Sequence, residues 1–96
     1  MVEVRKTDTF AKWLDGLSDI RARARVMARI DRLADGNPGD IRSVGGSVLE
    51  MRIDYGPGYR VYYVPRGRES LILLAGGDKD SQPRDIKTAL RLARNL

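Results

Sequence analysis

The chain has no cysteine and no histidine among its 96 residues. Without cysteine there are no disulfides, no thiol nucleophile and no thiolate metal site. Without histidine the commonest general base and the commonest metal ligand are missing. Any catalysis must draw on Lys, Arg, Tyr, Asp or Glu, and neither a metal nor an organic cofactor is expected. No apolar run approaches a membrane span, and the N-terminus carries no apolar signal-peptide segment, so a cytoplasmic protein with no membrane partner is expected. Internal repeats and low-complexity tracts are also missing.

What is present suits one small globular domain over residues 1–96. Hydrophobic residues make up 42% and charged residues 32%, a balance that excludes disorder. The formal net charge is +5. Lys and Arg exceed Asp and Glu in both halves, so the charge belongs to the folded body and not to a tail. Such a surface favours a polyanion or an acidic protein, although solubility alone is also served by it.

The apolar pattern predicts strand, helix, helix, three strands, helix. Val2 to Lys6 reads as a short strand. Thr7-Asp8-Thr9 can cap a helix whose face is Phe10, Trp13, Leu14 and Leu17. Ser18 or Asp19 can cap a second helix from Ile20 to Asp35. Its buried face is read as Ile20, Ala24, Met27, Ile30, Leu33 and Ala34, and Gly36-Asn37-Pro38-Gly39 ends it. Gly45-Gly46 is a turn. Strands follow over Val48–Asp54, Tyr59–Pro65 and Ser70–Ala75, separated by Gly56-Pro57-Gly58 and Arg66-Gly67-Arg68. Ser81 and Pro83 open a last helix over Gln82–Arg94, with Ile86, Ala89, Leu90 and Ala93 inward. The expected fold is a compact α+β domain: an N-terminal strand and a helical hairpin packed on an antiparallel β-meander, then a C-terminal helix.

Strand alternation sets Glu50, Arg52 and Asp54 on one face and Arg60 and Tyr62 on the same face of the next strand. With the hairpin on the other side, this face is expected to stay open. Arginine can hold phosphate with paired hydrogen bonds, and tyrosine can stack on a base. Lys79, just past the last strand, joins them at the rim. The same pattern also suits a solvated sheet face on which Glu50 pairs with Arg52 or Arg60. A second basic feature is the helical stripe Arg21, Arg25, Arg29 and Arg32, read either as a contact surface for RNA phosphates or acidic residues, or as a solvated helix face. Arg84, Lys87, Arg91 and Arg94 form a similar stripe on the last helix. Gly76-Gly77-Asp78-Lys79 lacks the spacing of a phosphate loop, and a strand end needing close backbone geometry explains its glycines better.

Three stretches carry a resemblance. Phe10-Ala11-Lys12-Trp13-Leu14 with Arg29-Ile30-Asp31-Arg32-Leu33 resembles the helical hairpin of the RelE/ParE toxins. Val48-Leu49-Glu50-Met51-Arg52-Ile53-Asp54 with Gly56-Pro57-Gly58-Tyr59-Arg60-Val61-Tyr62-Tyr63 is more specific. Leu73 to Gln82 with Arg84-Asp85-Ile86 is the most specific, and together they are similar to the addiction-module killer branch close to the HigB toxins. The resemblance implies a RelE-like fold and a type II toxin, usually one that cleaves mRNA on the ribosome without a metal. It also implies a cognate antitoxin encoded next door, often a helix-turn-helix protein. By position it makes Arg60 the strand arginine that holds the scissile phosphate, Arg52 and Lys79 neighbouring cations, and Glu50 the carboxylate placed for a general base. Tyr62 then stacks on a base. The last helix lacks the tyrosine of RelE itself. A ParE-type inhibitor of DNA gyrase, or a non-toxic RNA-binding module, would keep the same fold.

Overall fold

The computed structural model describes residues 2–96 as an α+β domain of five strands and three helices. The chain runs β1 (Glu3–Lys6), α1 (Asp8–Asp15), α2 (Ile20–Ala34), β2 (Ile41–Gly45), β3 (Val48–Ile53), β4 (Tyr59–Arg66), β5 (Ser70–Gly77) and α3 (Gln82–Arg94). One mixed sheet forms in the order β1-β5-β4-β3-β2. β2 to β5 make an antiparallel meander, and β1 lies parallel to β5 at the far edge.

Local chemistry sets the helix boundaries. The Thr7 hydroxyl accepts from Phe10 N at 3.1 Å, and the Asp19 carboxylate accepts from Arg21 N and Ala22 N. Each satisfies backbone donors that a helix start leaves without partners. Gly36, at φ +89°, takes the left-handed position after α2. Pro83 sits in the first turn of α3, where its missing N–H costs nothing.

The sheet is covered on both faces. On one, Phe10 and Leu14 of α1 and Val26, Ile30 and Leu33 of α2 pack against Met51, Ile53, Val61, Tyr63, Leu71 and Leu73. On the other, α3 lays Ile86, Ala89, Leu90 and Ala93 over Val48, Tyr62, Val64, Leu74 and Ala75. A bulge lets β5 serve this second core: Tyr62 pairs with Ala75 and Tyr63 with Leu73, so Leu74 is the extra residue. Leu74 and Ala75, though adjacent, then both belong to the α3-side cluster.

Three expectations need correction. The face bearing Glu50 and Tyr62 is not open, because α3 covers it. A strand, β2, precedes the Gly45-Gly46 turn. And α2 is rotated from the expected phase: Ile20 is 79% and Met27 43% exposed, Ala24 is exposed, and Ala22 and Val26 are buried instead. The helix has two apolar stripes at helical spacing, and the one carrying Val26, Ile30 and Leu33 reaches the sheet.

Glycine is needed at the end of β5 for space, not for φ. A Cβ on Gly76 would lie 2.2 Å from the Trp13 ring. Trp13 is itself held between Phe10 (centroids 5.7 Å) and Tyr59 (6.2 Å). Gly76→Ala is therefore expected to cost roughly 1–3 kcal/mol through overpacking. It should also shift the emission of Trp13, the only tryptophan. Urea unfolding followed by fluorescence checks both.

Candidate functional site

Register brings charged side chains from three adjacent strands together. Arg42 of β2 lies opposite Glu50 of β3, which lies opposite Tyr62 of β4 and, beyond it, Ala75 of β5. The next row holds Arg52, Arg60 and Gly77. Two arginines directly opposite each other repel, and Glu50 offsets this. Its Oε1 accepts from Arg42 Nε at 3.0 Å, Arg52 Nε at 3.2 Å and an Arg60 terminal nitrogen at 3.3 Å. Its Oε2 accepts from Gln82 Nε2 at 2.8 Å, which ties the carboxylate to the first turn of α3.

Glu50 is 0% exposed and Arg60 9%. Burial alone would raise the Glu50 pKa. The hydrogen bonds from Gln82, Arg52 and Arg42 outweigh it, and the carboxyl is held below its ordinary value. A carboxylate so fully engaged makes a weak proton acceptor. Tyr62, expected to stack on a base, is instead fully buried and presents no ring to a ligand. Its hydroxyl pKa is raised by burial and by the charge and hydrogen bonding of the neighbouring Glu50 carboxylate. Arg60 Nε is buried and unpartnered. Arg42 and Arg52 keep 51% and 39% of their side chains exposed, so the cluster has a buried half and a wet half.

The end of α3 closes one side. A Cβ at Gly77 would collide with the Asp85 carboxylate and the Ser81 hydroxyl, so Gly77 lets that helix approach. Ser81 does not cap α3 through its side chain; its hydroxyl donates to Asp85. The Asp78 carboxylate orders the loop by accepting from the backbone N–H groups of Asp80 and Ser81. Lys79 is exposed on this loop, beside the β3–β4 turn, with its N–H directed at the Pro57 carbonyl.

The α2 arginines occupy a different place. Arg21, Arg25, Arg29 and Arg32 line a groove of about 600 Å³ with Ala24, Ala28, Ile53 and Tyr55. Arg25 stacks over the Tyr55 ring at 4.8 Å, and the Tyr55 hydroxyl donates to Asp19. Arg29 is a strut: its terminal nitrogens donate to the carbonyls of Arg52 at 2.6 Å and Pro38 at 3.1 Å. The structure thus unites Arg52, Arg60 and Glu50 in one cluster and Arg21, Arg25 and Arg29 in another, on the hairpin side.

Sequence reasoning missed Arg42, Gln82 and Tyr55. A signal existed for Arg42: Ile41-Arg42-Ser43-Val44 alternates just before a Gly-Gly turn, as the first strand of a hairpin does. Gln82 and Tyr55 matter only through tertiary contacts, and spacing carries no trace of them.

Fold and cluster together define a small basic domain with a buried, arginine-ringed carboxylate on a two-sided sheet. Residues 12–96 match the family model described as phage-derived protein Gp49-like (DUF891). An uncharacterised protein of Haemophilus influenzae is similar at 48% identity, over 99% of this chain and 96% of its own length. The chain belongs to the phage-derived Gp49-like family.

Proposed function

We propose that the protein is a type II toxin of the RelE/ParE kind that cleaves mRNA on the ribosome. The observation that carries this reading is the convergence of Arg52 and Arg60 on one sheet face, where their charge exceeds that of the single carboxylate they share. An excess of fixed guanidinium suits a phosphodiester, whose charge grows as the ribose 2′-hydroxyl attacks. In that step the 2′-oxygen forms a bond to phosphorus and the bond from phosphorus to the 5′-oxygen breaks. The 2′ proton passes to solvent, and the leaving oxygen takes one from Lys79 or water. Arginine cannot supply that proton, since it does not give one up near neutral pH. Positioning of the message by the ribosome supplies the alignment that strong acid–base groups would otherwise have to complement.

The second groove supports a protein partner. Its floor is Ala24, Ala28 and Ile53, its walls are arginine, and the exposed Ile20 and Met27 lie on the same helix. An antitoxin segment with apolar residues between carboxylates fits such a surface by charge and by shape. The same groove is what a ParE-like inhibitor of gyrase would use.

Induced expression without antitoxin, followed within minutes by 5′-end mapping of cellular RNA, tests the nuclease reading. New ends inside translated messages are expected. Growth arrest with intact messages and broken or entangled DNA would replace it with the gyrase reading. Unaffected growth would leave a non-toxic module.

A further inference from the structure

Three guanidinium groups from three neighbouring strands meet at one oxygen of Glu50. One carboxylate balances one of them, so two positive charges remain at a place built with deliberate register. Arg42 and Arg52 both approach Glu50 through Nε. Among the described residues, their terminal nitrogens have no hydrogen-bond acceptor, and both side chains reach solvent. Beneath them, Arg60 Nε is buried without a partner. Buried polar atoms are nearly always paired in folded proteins, so an orphaned guanidinium N–H beside two half-exposed arginines points to an outside oxygen ligand. Gln82, meanwhile, holds the second oxygen of Glu50 and fixes its direction.

We propose that Arg42, Arg52 and Arg60 form one site for a single phosphate group of single-stranded nucleic acid, and that Glu50 is a positioning residue that aims them. The proposal rests on the reading of this face as phosphate-binding, and it deepens that reading with Arg42, which the sequence pattern alone leaves aside. A planar guanidinium bonded through Nε to a fixed carboxylate loses rotational freedom, and its remaining N–H groups point away from that anchor. Arg42 and Arg52 are held in this way, and Arg60 is bonded to the same oxygen through a terminal nitrogen, so free donors of three guanidinium groups lie around one carboxylate, where a tetrahedral oxyanion can accept from more than one of them. Glu50 need not take a proton for this.

The probe is a short single-stranded RNA with 2′-O-methyl groups throughout, which cannot supply the attacking hydroxyl. It is titrated into the full chain by calorimetry. Arg42→Ala is expected to weaken binding on the order of tenfold, the loss of one half-exposed charge-assisted contact. Arg68→Ala removes an equal charge in the β4–β5 turn, past the opposite end of β4, and is expected to change affinity less than about twofold. Equal losses in the two variants, or none in Arg42→Ala, overturn the proposal. Glu50→Gln decides the positioning role by sign. It makes the cluster more positive, so a merely electrostatic role predicts tighter binding and overturns the proposal, whereas lost alignment predicts weaker binding. Should Glu50→Gln fail to fold, Arg42→Ala still decides. Inorganic phosphate is expected to displace the oligonucleotide; phosphate that binds where the oligonucleotide does not would overturn the nucleic-acid assignment. Because the probe cannot be cut, an Arg42 effect without cellular mRNA cleavage keeps the site and removes the nuclease. Cleavage with unchanged Arg42→Ala affinity does the reverse.

Discussion

Arg60→Ala is expected to lower RNA cleavage by roughly 10²–10³-fold, the usual loss when one preorganised donor to a developing oxyanion is removed. Arg60 is the arginine best fixed for that task. It sits on a central strand flanked by β3 and β5, is 9% exposed, and is bonded to a carboxylate that is itself anchored by α3. A group so constrained cannot follow a substrate; it must already stand where the charge will form. The variant should stay folded, because Glu50 keeps Arg42, Arg52 and Gln82 as partners. The stability cost is then on the order of 1–3 kcal/mol, the price of one buried charge-assisted bond. Arg60→Lys is expected to recover little cleavage, since a single ammonium cannot bond Glu50 and a phosphate with the same planar fork. Mapped RNA ends in induced cells, alongside circular dichroism of the purified variants, measure both quantities. Full toxicity in Arg60→Ala would remove the sheet-face site and move the toxic surface to the arginine groove on α2.

The contrast between that groove and the sheet cluster shows what periodicity carries. Alternation correctly placed Glu50, Arg52, Arg60 and Tyr62 on one face, because the side-chain period of a strand is two whatever surrounds it. It could not say what covers that face. The information was nevertheless in the chain: Ile86, Ala89, Leu90 and Ala93 need an apolar partner, and the hairpin already occupies the other side of the sheet. Only the Glu50 face remained for α3. The start of α3 was readable because Pro83 suits a first helical turn whatever surrounds it, although the Ser81 hydroxyl, expected to cap the helix, turns to Asp85 instead. The phase of α2 was not, since Ile20-Ala24-Met27 and Ala22-Val26-Ile30-Leu33 are both apolar stripes, and packing against Met51 and Ile53 chose the second. β2 escaped notice because it is five residues long, mostly exposed, and interrupted by a bulge at Val44. An edge strand of that kind has little apolar signal of its own. Its loss hid Arg42, and with it the third cation around Glu50.

Glu50→Ala is expected to be the most damaging single change to stability, at roughly 3–5 kcal/mol, the cost of removing one partner of a buried ion pair and leaving the other uncompensated. Arg60 would keep a buried positive charge with no anion beside it, and Arg52 would face it directly across the strands. Gln82 would lose its acceptor, loosening the first turn of α3 from the sheet. Arg42 and Arg52 are partly solvated, which screens their share and sets the loss nearer the lower figure. Even so, a domain of this size shifts its Tm by about 4–8 °C per kcal/mol, so a drop of more than about 10 °C is expected in a thermal scan. Acid reproduces part of the effect. The Glu50 pKa in the folded chain lies below the ordinary 4.5, so ionised Glu50 stabilises the fold fully above that value. That contribution is lost as pH falls through the lower, folded-state pKa. Glu50→Gln has no such proton to take up, and its stability is expected to change less than that of the parent chain below pH ~4.5. A parent and variant that lose stability in parallel through this range would mean that the carboxylate is no more favoured in the folded chain than in the unfolded one. The three arginines would then owe their arrangement to the strands alone.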